Sequence, residues 1–148
     1  MGKGKNALVI INRRSSRARK DISKALRRLE SGGLHLEVRP TDDPAEIPEL
    51  IRSGAPEADM TVIGGGDGTL NTAAEALMET GLPLGILPLG TANDLAGSLG
   101  IDKRLEAACD VILNGKLLAI NLGTVNGKPF LNTAHAGMTV DMIKRLSP

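Results

Sequence analysis

The sequence is poor in the residue types that mark several large classes of protein. Cys109 is the only cysteine among 148 residues, so no internal disulfide can form and nothing points away from a reducing compartment. Phe130 is the only aromatic residue, which argues against binding of RNA or single-stranded DNA by stacking on aromatic rings. The short apolar run near the N-terminus meets basic residues too soon for a signal peptide or a membrane span. We therefore expect a soluble, cytoplasmic protein that does not bind nucleic acid.

The net charge does not indicate a class of binding partner. Lysine and arginine number 18 against 17 acidic residues, which gives a net charge of +1. Basic residues cluster in "RRSSRARK" (13–20) and at Arg27 and Arg28. A solvated helix face is the simpler interpretation of this cluster, and contact with phosphates or with an anionic membrane surface is the alternative.

Short aliphatic runs alternate with longer amphipathic stretches, a pattern typical of βα units around a parallel sheet. We predict an α/β fold with a mainly parallel sheet and helices on both faces, ending in a β-hairpin around the Asn126-Gly127 turn. The α/β domain is assigned to 1–120, and 121–148 to the hairpin and the start of a second, β-rich domain. The predicted strands are 7–12, 34–40, 58–64, 83–90 and the two hairpin arms 117–125 and 128–137; the predicted helices are 19–33, 43–54, 69–81, 92–100 and 104–115.

The stretch "VIGGGDGTLN" (62–71) places four glycines and one acid between a strand and a helix expected to begin near Thr69. Glycines there allow positive φ angles and let backbone amides approach a ligand closely, and the helix N-terminus adds free N–H donors, so a phosphate chain is the fitting ligand. The dinucleotide and P-loop fingerprints are absent, because both require glycine at position 69. Asp67 beside phosphates implies Mg²⁺ or a substrate hydroxyl, and a mere cap on the helix at Thr69 is the alternative.

A second loop, "LPLGTANDLA" (87–96), repeats this arrangement after the next strand. It offers Gly90, the hydroxyl of Thr91, and the polar side chains of Asn93 and Asp94. Loops that follow neighbouring parallel strands face one cleft. We therefore expect the two loops to bind one ligand together, although Asn93 or Asp94 taken alone is explained equally well as a helix cap.

The pairing of "GGDGT" (65–69) with "PLGTANDLA" (88–96) resembles the catalytic-domain family of diacylglycerol kinases and sphingosine kinases, and is most similar to its bacterial lipid kinases. The segment "FLNTAHAG" (130–137) agrees with the family pattern F-x-N-x-A-x-x-G. The resemblance implies a Rossmann-like fold and transfer of the ATP γ-phosphoryl group, with Mg²⁺, to the hydroxyl of a diacylglycerol-like lipid. An NAD kinase-like enzyme, which shares GGDGT, and a non-catalytic nucleotide-binding regulatory module remain alternatives.

The resemblance also implies a set of site residues and several properties of the whole protein. Asp67 is the catalytic candidate, and no residue is assigned as a metal ligand. Family members are about twice as long, so the chain is expected to lack the half that supplies the general base, and to be inactive alone; peripheral membrane contact at the inner face and homo-oligomers are further expectations. The chain departs from the family where "RRSS" (13–16) replaces the glycine turn of N-P-x-S/G-G, and at Asn121, where aspartate is common. The implied nucleotide contacts are Asn12, Thr41, Gly65, Gly66, Asp67, Gly68, Thr69, Leu70, Asn71, Thr91 and Asn93.

Overall fold

A sheet of four parallel strands organises residues 4–18 and 22–131, the part of the chain that the computed structural model describes. Its strand order is β2-β1-β3-β4, and a separate antiparallel hairpin, β5-β6, follows. The predicted fold class is confirmed. The strands are β1 (Asn6–Asn12), β2 (His35–Thr41), β3 (Met60–Gly65), β4 (Leu84–Pro88), β5 (Gly123–Val125) and β6 (Lys128–Phe130), and the helices are α1 (Ile22–Ser31), α2 (Ile47–Gly54), α3 (Asp67–Thr80), α4 (Asp94–Ser98) and α5 (Leu105–Asn114).

Alternate side chains of the central strand β1 enter two separate apolar cores. Leu8 and Ile10 join the core beneath α2 and α3, while Val9 and Ile11 join the core beneath α1 and α5. Because both faces are covered, the strand is a continuous apolar run rather than an alternating one. Helices on both faces of the sheet follow from this division, as predicted.

The ends of the helices follow the local sequence, except at the start of α3. Gly81 ends α3 with a left-handed φ of 66°, and Gly115 follows the last residue of α5. Asp43 accepts the Ala45 amide at 3.0 Å, which opens a short 3₁₀ turn ahead of α2. The helix α3 begins at Asp67, two residues before Thr69, with extended Gly66 before it. Aspartate and glycine are poor helix formers, so these two additional residues depend on tertiary contacts.

The hairpin turns at Asn126 and Gly127, with φ angles of 51° and 77°. This pair of positive φ angles matches the type I′ turn expected of Asn-Gly. The strands are shorter than predicted: 117–122 form no strand, and Leu117 is 82% exposed. From residue 132 onward, the predicted second arm and the F-x-N-x-A-x-x-G segment lie outside the described residues. The division at 120 stays a prediction.

Thr61, in the middle of β3, carries a hydroxyl that the core does not satisfy. The side chain is fully buried, and its oxygen has no hydrogen-bond partner among the described residues. Thr61→Val replaces the hydroxyl by a methyl group of similar shape and removes an unsatisfied polar group, so we expect a gain of about 1 kcal/mol in unfolding free energy. Thr41→Val is the matched control, since the Thr41 hydroxyl is hydrogen-bonded. Urea denaturation measures both; a loss of stability in Thr61→Val would contradict the prediction.

Cys109 makes the stability of the chain sensitive to alkaline pH. Its Sγ is buried against α1, 3.6 Å from the carbonyl oxygen of Ala25, and burial raises the pKa of the thiol to about 11 from an ordinary value of 9.0. A pKa that is higher in the folded state stabilises the fold below pH 9 and loses that contribution as the pH rises through 11. We therefore expect the unfolding free energy to fall more steeply between pH 9 and pH 11 in the wild type than in Cys109→Ala. Equal slopes in pH-dependent urea titrations would count against this.

Candidate functional site

The two glycine loops meet backbone to backbone at the carboxyl end of the sheet. A Cβ atom on Gly90 would lie 2.4 Å from Cα of Gly66, and the amide of Leu89 donates to the carbonyl of Gly65 at 3.0 Å. None of the loop glycines 64, 65, 66, 68 and 90 has a positive φ. Of the two properties that glycine provides, freedom to adopt positive φ and absence of a side chain, these loops use the second, since Gly66 and Gly90 let two backbones approach closely.

Asp67 joins the first loop to the helix that follows the second. Its two carboxylate oxygens accept the backbone amides of Asp94 at 2.9 Å and Leu95 at 3.0 Å, which are the first two residues of α4. Asp67 thus caps a helix, but the helix is α4 rather than its own. A charged acceptor of this kind satisfies amides that have no carbonyl one turn earlier.

Asn93 fixes the turn of the second loop. It adopts a left-handed conformation, with φ 53° and ψ 48°, and is almost fully buried. Its side-chain oxygen accepts the Gly90 amide at 2.9 Å, and its side-chain nitrogen donates to the Gly90 carbonyl at 2.8 Å. Its hydrogen bonds therefore serve the shape of the loop.

Asn12 connects the end of β1 to the first turn of α3. Its side-chain nitrogen donates to the buried hydroxyl of Thr69 at 2.9 Å, and its oxygen accepts the amide of Arg14 at 3.0 Å. Thr69 also explains Gly65, since a Cβ atom there would lie 2.6 Å from Cβ of Thr69. Three of the predicted site residues thus hold one another in place.

Thr41 lies at the neighbouring strand end, beside these loops. Its buried hydroxyl interacts with a carboxylate oxygen of Glu46 at 2.6 Å and accepts the amide of Asp43 at 3.0 Å. The Arg13 amide donates to the Thr41 carbonyl at 2.9 Å, which links this strand end to the loop after β1.

The other predicted contacts face in different directions. Leu70 is buried in the core beneath α3, and the side chain of Asn71 accepts the amide of Leu131, just beyond β6, at 3.1 Å. The exposed Thr91 hydroxyl lies 3.4 Å from the hydroxyl of Ser16. Gly68 faces open space in the described part of the chain, where no heavy atom beyond its chain neighbours and its own helix backbone lies within 4 Å of the position that a Cβ would occupy.

The N-terminus of α3 offers unsatisfied backbone donors to this cleft. No side chain of residues 4–18 or 22–131 caps the helix, so the amides of residues 67–69, which have no helical carbonyl before them, are left to solvent or a ligand. A helix of this length carries a partial positive charge at its N-terminus. The arrangement favours an anion such as a phosphate group.

The loop after β1 adds residues that the sequence analysis did not assign to the site. With Asp42 and Asp43, residues 13–16 line an open cavity of about 1010 Å³. The hydroxyl of Ser16 lies 3.4 Å from that of Thr91, which brings this loop next to the second glycine loop. Two signals were available: this loop also follows the carboxyl end of a strand, and contact with phosphates was the alternative interpretation of its basic cluster.

Carboxylates do not gather into a metal centre here. In the described ranges, no three His, Cys, Asp or Glu side chains lie close enough to hold a metal ion. Phosphate-bound Mg²⁺ needs only one or two protein carboxylates, because it keeps several waters. Asp67 accepts two amides at the start of α4, and Asp94 is the first residue of that helix.

Residues 6–125 match the family described as diacylglycerol kinase catalytic domain. The chain belongs to this family. The resemblance predicted from the two glycine loops is thereby confirmed, and the family is one of lipid kinases.

Relatives within the lipid kinases extend well beyond this chain. A protein named "Probable lipid kinase YegS-like" from Yersinia enterocolitica serotype O:8 / biotype 1B is 38% identical over 138 residues, covering 89% of this chain and 46% of the relative. A relative with the same name from Yersinia pestis (strain Pestoides F) is 39% identical over 140 residues, with the same two coverages. The chain therefore spans about half the length of these curated relatives.

A solved structure shares the fold. A diacylglycerol kinase from Bacillus anthracis str. Sterne superposes with a TM-score of 0.80 at 24% sequence identity, over 89% of this chain and 52% of that one. The α/β architecture is thus the one found in diacylglycerol kinases.

Removing the Asp67 carboxylate should destabilise this family member. Asp67→Ala leaves two amides of α4 without an acceptor, so we expect a loss of about 1–2 kcal/mol in unfolding free energy. Asp94→Ala is the control, because its carboxylate is exposed and has no hydrogen bond in the described ranges, and we expect about 0.5 kcal/mol or less. Urea denaturation of both variants, with hydrogen exchange at the Leu95 amide, distinguishes capping from a surface charge effect. Equal losses in the two variants would contradict the capping role.

Proposed function

We propose that this chain binds the phosphates of ATP between its two glycine loops and forms the nucleotide-binding part of a lipid kinase. The reaction proposed for the whole protein is transfer of the γ-phosphoryl group to the hydroxyl of a diacylglycerol-like lipid. The observation that carries the proposal is the uncapped start of α3 beside the open Gly68.

Steric crowding requires glycine at the positions before Gly68, but not at Gly68 itself. A Cβ on Gly64, Gly65 or Gly66 would meet Ile11, Thr69 or Gly90 at under 3.0 Å, whereas Gly68 has free space. Glycine within a helix costs about 1 kcal/mol relative to alanine. Packing therefore does not account for Gly68, and close approach of a phosphate to the backbone does.

ATP and Mg²⁺ fit the chemistry of the groups present. Backbone amides at 67–69 hold phosphate oxygens, and the Thr91 and Ser16 hydroxyls add donors on the other side of the cleft. When bound, Mg²⁺ neutralises charge on the transferring phosphoryl group. Asp67 stays the catalytic candidate; each of its oxygens accepts one amide in α4 and keeps a lone pair for water or a cation.

Turnover is expected to require more than these residues. Phosphoryl transfer depends mainly on positioning and electrostatic stabilisation, so an incomplete cleft should bind nucleotide and phosphorylate little lipid. The family match favours a lipid kinase over the NAD kinase alternative, and a non-catalytic module remains the second candidate. No helix in the described ranges is long and apolar enough to span a bilayer. Since the proposed acceptor is a membrane lipid, we propose peripheral contact at the inner membrane face; self-association stays a prediction from the resemblance.

Calorimetric titration with ATP, with and without Mg²⁺, tests the nucleotide site. Gly68→Ala should fold at least as stably as the wild type and bind ATP at least tenfold more weakly, a difference of about 1.4 kcal/mol, because its methyl group occupies the space beside the amides. Gly97→Ala, within α4, is the matched control, since Gly97 also has free space and an ordinary backbone conformation. Unchanged affinity in Gly68→Ala would place the phosphates elsewhere.

Lipid phosphorylation separates the enzyme from the module. Diacylglycerol in mixed vesicles with radiolabelled ATP and Mg²⁺ should be phosphorylated by the full-length protein and not by these 148 residues. Activity of the short chain would overturn the need for a second half. Nucleotide binding without lipid phosphorylation by the full-length protein would support the non-catalytic module.

A further inference from the structure

Arg13 and Asp42 form an ion pair across the mouth of the cleft. The Nε atom of Arg13 donates to one carboxylate oxygen of Asp42 at 3.1 Å, and its Nη2 donates to the other. The two side chains are 56% and 66% exposed, and both line the cavity described above. The pair therefore stands in solvent at the proposed nucleotide site.

The backbone places Arg13 close to the open end of α3. Asn12, directly before it, bonds the hydroxyl of Thr69, and the Thr69 amide is one of the free donors. On the other side, the Arg13 amide is held by the carbonyl of Thr41 at 2.9 Å. Arg13 thus begins between two strand ends, within reach of whatever occupies the cleft.

An exposed carboxylate is a weak competitor for this guanidinium. Exposed ion pairs gain little, because water screens them and two long side chains must be held in place. A guanidinium presents the same planar pair of donors to phosphate as to carboxylate, and a polyphosphate carries more charge than Asp42. Asp42 itself repels a polyanion once Arg13 has left it.

We propose that Arg13 binds a nucleotide phosphate, and that Asp42 pairs with Arg13 as long as no nucleotide is bound. In the free protein the Asp42 carboxylate pairs with the Arg13 guanidinium. When a nucleotide binds, its phosphate chain replaces the carboxylate as the partner of the guanidinium. Asp42 then sets nucleotide affinity by the strength of its competition. The inference rests on the proposed nucleotide site, and it concerns a position where the family pattern has proline.

A double-mutant cycle measured by ATP calorimetry tests the exchange. Asp42→Asn should tighten ATP binding about threefold to tenfold, which is roughly 0.7–1.4 kcal/mol, and Arg13→Gln should weaken it by a similar factor. In the double variant, Asp42→Asn should bring only the smaller gain that relief of charge repulsion gives, because no guanidinium remains to be released. Asp43→Asn is the matched control for charge alone, because Asp43 lines the same cavity and asparagine also caps helices. The effect of Asp43→Asn on ATP affinity should be the same with or without Arg13.

The outcomes separate this inference from the proposed function. An equal gain from Asp42→Asn with and without Arg13 would show general repulsion and overturn the exchange, as would an unchanged affinity in Asp42→Asn. Absence of saturable binding of both ATP and inorganic triphosphate by the wild type would overturn the nucleotide site and the exchange together. Circular dichroism of each variant confirms that the exposed substitutions leave the fold intact.

Discussion

The arrangement of the cleft depends on one carboxylate between two helix starts. Two glycine loops bring the N-termini of α3 and α4 together, and each helix start leaves amides without partners. Asp67 satisfies the amides of α4 and, by the same two bonds, fixes the second loop against the first. The start of α3 has no such acceptor and stays open. Because Asp67 bonds the amides at the start of α4, the start of α3 is the one of these two helix starts that is available to an anion.

Several polar side chains near this opening already form hydrogen bonds within the protein. Asn12 bonds Thr69, Asn93 bonds the backbone of Gly90, and Thr41 bonds the turn before α2. They fix the loops before any ligand arrives, while the surface left for binding is largely backbone. Donors held in this way need little reorganisation on binding, which is the general advantage of a preorganised site. Residues predicted to contact a ligand can therefore support the shape of a site through bonds within the protein.

The sequence allowed the fold and the location of the cleft to be predicted, but not the use of each residue. Strands and helices follow from local periodicity, and parallel strands force their following loops to one end of the sheet. The partner of Asp67 lies 27 residues away and that of Asn71 lies 60 away. Such pairings depend on tertiary packing, which local patterns do not record. The same packing extends α3 to Asp67 against the low helix propensity of Asp-Gly.

The strand order has a consequence for how copies of this chain can meet. Strand β2 is the outer strand on one side of the sheet, and no other strand among the described residues pairs with its outer backbone groups, which form an edge. Pro40 lacks an amide donor there, and Glu37 and Arg39 are charged and paired with each other. Natural sheets use proline and charge on outer strands to prevent edge-to-edge growth. Proline and the charged pair therefore oppose extension of the sheet by another strand along β2.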